Sequence, residues 1–284
     1  MIVVTGATGQ LGRLVIQSLL KQVPASQIIA AVRTPAKAAD LAALGVQVRQ
    51  ADYSQAASLD SAFAGATKLL LISSSEVGQR TPQHKNAIDA ARRAGVSLIA
   101  YTSLLHADRS VLALAEEHLA TEAYLAQSGV GYVLLRNGWY TENYLASVAP
   151  ALQHGAFIGS AGEGRIASAA RADYAAAAAA VLTLADQAGK VYELAGDSSY
   201  TLAEFAAELS RQSGKTIPYV NLPQAEFKGA LLGAGLPEGL ADLLADSDVG
   251  ASQGGLFDAQ RQLSALIGRP TTALAELMAA ALKQ

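Results

Sequence analysis

Three glycines at three-residue spacing, Gly6, Gly9 and Gly12, restrict the folds open to this chain more than any other feature. A short apolar run, Ile2-Val3-Val4, precedes them and reads as a buried strand. Behind them Leu11, Leu14, Val15, Leu19 and Leu20 fall on one helical stripe. Strand, glycine turn and helix in direct succession make a cradle in which a pyrophosphate can lie against backbone. Gly6 permits the tight reversal, Gly9 admits the phosphates, and Gly12 lets helix and strand pack closely. The amides and dipole of the helix start then favour the negative charge. The spacing is G-x-x-G-x-x-G rather than the plainer G-x-G-x-x-G, so the elements on either side carry the assignment. The whole stretch Gly6-Ala7-Thr8-Gly9-Gln10-Leu11-Gly12 is expected to bind a dinucleotide.

Further strands are expected at Ile28–Val32, Val46–Gln50, Leu69–Ile72, Val96–Tyr101, Tyr132–Arg136 and Val191–Leu194. The helices between them are expected at 35–44, 58–64, 81–94, 113–127 and 174–184. That alternation predicts an α/β fold with a Rossmann-type, doubly wound parallel sheet. Right-handed crossovers place a ligand outside the C-terminal strand ends. Arg33 stands at the end of the second strand, where an acid would select NAD; an arginine there suits the 2′-phosphate of NADPH. Asp52 follows the third strand and either accepts from the adenine amino group or caps the next helix. Ser73, Ser74 and Ser75 follow the fourth strand and Thr102 and Ser103 the fifth, all over the expected cofactor. Asn137, Gly138, Trp139 and Tyr140 follow the sixth, at the expected nicotinamide end, with Asn143 just beyond. Trp139 would serve there as a flat wall for substrate or simply as packing. His84, alone on its helix, reads as a surface residue without a role. Residues 1–136 and 160–196 are expected to form the nucleotide-binding domain. Residues 137–159 and 197–284 would make a smaller, mostly helical C-terminal lobe for substrate.

Composition narrows the class. Of 284 residues, 51% are apolar and 16% charged, enough for a large core and too few charges for disorder. Cysteine is absent, which excludes disulfides, thiolate nucleophiles and Cys-ligated metals, and no metal is expected. The net charge of −3 comes without a basic block, so a nucleic-acid partner is not expected. The most apolar long stretch, 167–184, is mostly alanine and carries Arg171 and Asp173, which argues against membrane insertion. No basic signal-like segment precedes the glycine turn, and a cytoplasmic location is expected. Oligomeric state is left open.

Four stretches also carry a resemblance: TGATGQLG at the start, Arg33, QHKNAIDAARRAGV at 83–96 and LRNGWYTENY at 135–144. On these the chain resembles the atypical short-chain dehydrogenases of the NmrA-like family. With DSDVGASQGGLFD at 246–258, it is most similar within that family to the bacterial type 2 NAD(P)H:quinone oxidoreductases. The resemblance implies an NADPH-dependent reductase that passes hydride to a quinone without flavin. One departure bears on mechanism. Most short-chain dehydrogenases carry Tyr-x-x-x-Lys on the helix before the sixth strand, where lysine helps tyrosine to deliver a proton. Here that helix reads His118-Leu119-Ala120-Thr121-Glu122. His118 is then the candidate proton donor, unless it faces solvent and pairs with Glu122 across one turn. Chemistry without a strong protein acid is one consequence; a redox-sensing regulator that binds NADP(H) and turns nothing over is the other.

Overall fold

The computed structural model describes residues 1–283. Nine strands are present among them: β1 Ile2–Val4, β2 Ile28–Val32, β3 Gln47–Gln50, β4 Lys68–Leu71, β5 Leu98–Leu104, β6 Gly131–Asn137, β7 Phe157–Gly159, β8 Val191–Leu194 and β9 Tyr219–Asn221. Seven of them form one sheet in the order β3-β2-β1-β4-β5-β6-β8. The pairing is parallel throughout: Val3 lies opposite Ile29 on one side and Leu69 on the other, and Ile99 opposite Tyr132. On the far edge, Leu134 N–H donates to Lys190 O and Gly138 N–H to Leu194 O, which sets β8 in the same sense. Strands β1, β2 and β5 are buried on both faces, so their sequences run apolar without alternation. The order reverses direction beside β1, and the glycine turn stands at that switch point.

The chain divides into two compact units. The first comprises residues 1–107, 116–137 and 171–192 and contains nearly all of the large sheet. On one of its faces α1 (Gln10–Leu19) packs against α8 (Arg171–Thr183). The buried face of α8 includes Ala175, Ala177, Ala178 and Ala179, and such small side chains allow close approach of helix axes. Lys68 Nζ donates to Leu182 O at 2.6 Å and so places a cation on the C-terminal carbonyls of α8. Between these helices the chain forms α2 (Ala39–Ala43), α3 (Ala56–Phe63), α4 (Arg80–Arg93) and α5 (Ala115–Gln127). Helices α3 and α4 pack together over a cluster that includes Leu59, Phe63, Leu69, Ile88 and Tyr101. Fully burying each such aliphatic or Phe side chain contributes about 1.5–3 kcal/mol.

The second unit comprises residues 108–115, 138–170 and 193–284. It contains α6 (Thr141–Leu145), α7 (Val148–His154), α9 (Leu202–Ser213), α10 (Gln224–Gly233), α11 (Glu238–Ser252), α12 (Gln262–Ile267) and α13 (Leu274–Ala281). Phe205 is its aromatic centre, with Phe157, Tyr200 and Tyr144 at ring-centroid distances of 4.8, 5.8 and 6.1 Å. Thr201 and Glu204 close a reciprocal capping box at the start of α9, and Gly214 ends it in the left-handed region at φ 69°.

One expected element changes, and the C-terminal region holds more than expected. The helix expected over 35–44 is divided into a 3₁₀ turn at Pro35–Ala38 and the short α2, and at that division Arg13 Nη2 donates to Lys37 O at 2.7 Å while Nη1 pairs with the Asp40 carboxylate. The mostly helical C-terminal region includes α11, which runs 15 residues. It also holds a two-stranded parallel sheet of β7 and β9, with Ile158 opposite Val220. Among the described residues, no helix is long and apolar enough to cross a membrane, and no His, Asp and Glu cluster would hold a metal ion.

Candidate cofactor and substrate site

Space explains two of the three glycines. Gly6 sits at φ +57°, the left-handed region that lets β1 turn into α1. A Cβ on Gly12 would lie 2.4 Å from Gly6 O and 2.7 Å from Ala7 Cα, so no side chain fits there. Gly9 donates to Gly6 O at 2.9 Å and is the N-cap of α1. No side chain caps that helix and no acid lies in its first turn, which leaves a positive amide end for an anion. Thr5 fixes the turn to its neighbour, with Oγ1 donating to Leu70 O at 2.9 Å and accepting from Ile72 N–H at 3.0 Å.

Arg33 lies just past β2, two-thirds exposed, with Nη1 2.7 Å from Glu76 Oε1. The second carboxylate oxygen of Glu76 accepts from Gln83 Nε2 at 2.7 Å, and Gln83 is buried. Asp52 does not cap α3, whose N-cap is Gln55. Its carboxylate instead accepts from Ser54 N–H at 2.8 Å and shapes the turn after β3.

The Ser73–Ser75 segment is held from α4 and from β5. Ser73 N–H donates to Thr102 Oγ1 at 2.8 Å. Ser74 N–H donates to His84 Nε2 at 2.9 Å, and Ser74 O accepts from Arg80 Nε at 2.7 Å. His84 is therefore not a surface residue. It is wholly buried, and because Nε2 accepts, Nδ1 carries the proton that it donates to Thr121 Oγ1 at 2.9 Å. Burial and the nearby Arg80 guanidinium hold its pKa down at about 3, so the ring stays neutral.

His118 is likewise buried and does not pair with Glu122. Its Nδ1 lies 2.8 Å from Tyr101 Oη and its Nε2 3.5 Å from Arg80 Nη1. Burial, Arg80 and His84 together lower its pKa to about 3. Glu122 turns to Arg136, which donates to it from Nε at 3.0 Å and Nη2 at 2.7 Å, while Ser103 Oγ donates at 2.5 Å. A bidentate guanidinium outcompetes a neutral imidazole for a buried carboxylate. Tyr101 thus faces a neutral histidine, and burial raises its own pKa well above the ordinary tyrosine value.

At the C-terminal end of β6, Asn137 is buried, its backbone O accepts from Leu105 N–H at 3.0 Å, and its Oδ1 has no hydrogen-bond partner. The rest of the expected substrate stretch belongs to the second unit. Gly138 N–H donates to Leu194 O at 2.7 Å, and Trp139 O accepts from Ala169 N–H at 3.1 Å. Trp139 is only 7% exposed and packs on Tyr144 at 6.1 Å between centroids, so packing is part of its role. Tyr140 is the N-cap residue of α6 and its O accepts from Asn143 N–H.

A model of NAD(P)H-binding proteins matches residues 6–184. Quinone oxidoreductase 2 of Escherichia coli K12 is 67% identical over 276 residues, which is 97% of this chain and 96% of that one. The chain belongs to this family of NAD(P)H-binding proteins. The crystal structure of the Escherichia coli NADPH-dependent quinone oxidoreductase in complex with NADPH matches this chain at TM-score 0.97 and 66% identity, over 99% of this chain and 100% of that one. Triphenylmethane reductase of Citrobacter sp. complexed with NADP(H) matches at TM-score 0.95 and 43% identity, over 99% and 100%. NmrA itself, a negative transcriptional regulator, shares the fold alone at 17% identity and TM-score 0.77, over 98% and 94%. Sequence reading missed Arg80, His84, Tyr101 and Glu76 as parts of this candidate site. The signal for His84 is its place inside QHKNAIDAARRAGV, a stretch that carries the resemblance; Glu76 and Tyr101 have no comparable signal.

Proposed function

We propose that this chain is an NADPH-dependent quinone oxidoreductase that passes hydride directly to a quinone, without flavin, in the cytoplasm. The near full-length identity with the Escherichia coli quinone reductase carries this reading. The residues present fit the cofactor: a turn that any Cβ on Gly12 would fill, an uncapped helix start, and an arginine after β2. When bound, NADPH supplies the hydride. The amides of 6–12 hold the pyrophosphate, and Arg33 takes the 2′-phosphate. Asp52, Ser73–Ser75, Thr102 and Ser103 line the path between the two ends. The unpartnered Asn137 Oδ1 accepts from an amide or hydroxyl donor at the reacting end. Gly138, Trp139, Tyr140 and Asn143 present the quinone.

No protein acid is required. Hydride addition to a quinone leaves a hydroquinone anion whose charge spreads over the ring, and one proton from water completes the hydroquinone. An ordinary ketone would leave a localised alkoxide needing a donor. His118, neutral and engaged with Tyr101 and Arg80, positions its neighbours and delivers no proton. A second reading, a redox-sensing regulator without turnover, draws on the missing Tyr-x-x-x-Lys. Mixing the protein with NADPH and a simple benzoquinone separates the two. Loss of NADPH absorbance that depends on both protein and quinone is expected; binding without turnover would establish the regulator.

A further inference from the structure

We propose that Glu76 moderates the preference of this chain for NADPH over NADH by competing with the 2′-phosphate for Arg33. The inference rests on the reading of Arg33 as the phosphate-binding residue. Arg33 follows β2 and Glu76 follows β4, and in the sheet these strands stand on opposite sides of β1. Their ion pair at 2.7 Å therefore closes across the end of β1, above the start of the glycine turn. The two partners are unequally held. The Arg33 side chain is 66% exposed and makes no hydrogen bond other than that to Glu76 among those resolved, so its guanidinium is free to swing. Glu76 is anchored: its second carboxylate oxygen accepts from Gln83 Nε2 at 2.7 Å, and its backbone N–H donates to Ser74 Oγ at 3.2 Å. Gln83 is only 5% exposed, so the anchor is a fixed one.

NADPH must draw Arg33 away from this carboxylate, and an exposed ion pair is weak enough to yield to a phosphate. The carboxylate stays where Gln83 holds it, a negative charge beside the incoming phosphate. NADH carries a hydroxyl at that position, makes no demand on Arg33 and meets no such repulsion. Glu76 thus acts against NADPH and leaves NADH alone.

The test measures dissociation constants of NADPH and NADH, by titration of the protein, for wild type, Glu76→Gln, Arg33→Ala and the double variant. Glu76→Gln keeps an acceptor for Gln83 and removes the charge. NADPH should then bind about two- to fivefold tighter, the range expected from releasing an exposed ion pair, with NADH unchanged. In the Arg33→Ala background the part of the gain that comes from freeing Arg33 should vanish, and the gain should shrink to what the direct repulsion of carboxylate and phosphate supplies. High salt should shrink the gain in the single variant, because the interaction is solvent-exposed. Weaker or unchanged NADPH binding in Glu76→Gln, with Arg33→Ala still damaging NADPH binding, would overturn the inference and leave the Arg33 reading standing. Equal tightening of both cofactors would overturn it as well, by reducing Glu76 to a general negative charge. If Arg33→Ala leaves NADPH binding intact, the Arg33 reading itself fails and the inference fails with it.

Discussion

Gly12 leaves no room for a methyl group, because the atoms in its way are the backbone of Gly6 and Ala7 rather than a movable side chain. Gly12→Ala must therefore open the turn, at about 1–3 kcal/mol of overpacking, and displace the amides proposed to hold the pyrophosphate. Both a lowered thermal midpoint and loss of NADPH binding are expected; a variant that still binds NADPH at wild-type strength would refute the cradle. Arg33→Ala removes the proposed phosphate contact together with the exposed pair to Glu76. A charge-assisted hydrogen bond of about 1.5–3 kcal/mol corresponds to roughly a tenfold to hundredfold loss for NADPH, with NADH nearly unchanged. His118→Gln retains hydrogen-bonding capacity toward Tyr101 and Arg80. Its turnover with benzoquinone should fall by far less than the 10²–10⁴ that removal of a general acid costs. The rate should also show no titration of His118 between pH 5 and 8, since that group ionises at about 3. These residues differ in how visible they are in sequence. Gly6, Gly9 and Gly12 are legible because the turn needs them within seven consecutive residues. His84 is legible only through the resembling stretch around it, because its partners Ser74 and Thr121 lie ten and 37 residues away and its own helix reads like that of a solvated histidine.

The elements were legible in proportion to their length and their local signals. Strands β2, β4 and β5 are apolar runs that a buried parallel sheet demands, and their order follows from right-handed crossovers. Strands β7 and β9 have three residues each and pair across some sixty residues, too short for alternation to be read. The break before α2 likewise coincides with a contact from Arg13, a side chain of another helix. Within the second unit, α11 is tied to its neighbours by Asp248, which accepts from Tyr144 Oη at 2.9 Å and Ser160 N–H at 2.8 Å. Burial raises this carboxyl from 3.8 to about 6, against the opposing pull of those two hydrogen bonds. A carboxyl whose folded pKa lies above its unfolded one stabilises the fold fully below about pH 4, and that contribution is lost as pH rises through 6. Asp248→Asn removes the titration, and its amide can still accept from Ser160 N–H and donate to Tyr144 Oη. Relative to wild type, the variant should gain about 1–3 kcal/mol between pH 4 and pH 7 in denaturant unfolding. A constant difference across that range would show that Asp248 does not titrate there.

For the whole molecule, cofactor binding and folding are one linked equilibrium. A ligand held only by the folded state at a hundred times its dissociation constant adds about 2.7 kcal/mol. Saturating NADPH should accordingly raise the thermal midpoint of the glycine-turn unit by several degrees. The same concentration should achieve roughly half of that or less in Arg33→Ala, where the ratio of ligand to dissociation constant is smaller. Calorimetry at fixed NADPH measures both, and equal shifts would contradict the role given to Arg33. The division into units has a further consequence, for the order in which the molecule is made. The chain passes from one unit to the other five times, and the last of these passages falls within β8. A ribosome releases β1 to β6 first, and these can pair as they emerge. The outer edge of β6 must then wait while residues 138–170 and α8 are synthesised, an open strand edge able to pair with another nascent chain. Only the arrival of Val191–Leu194 seals it, so the risk of misassembly during synthesis is concentrated in that interval.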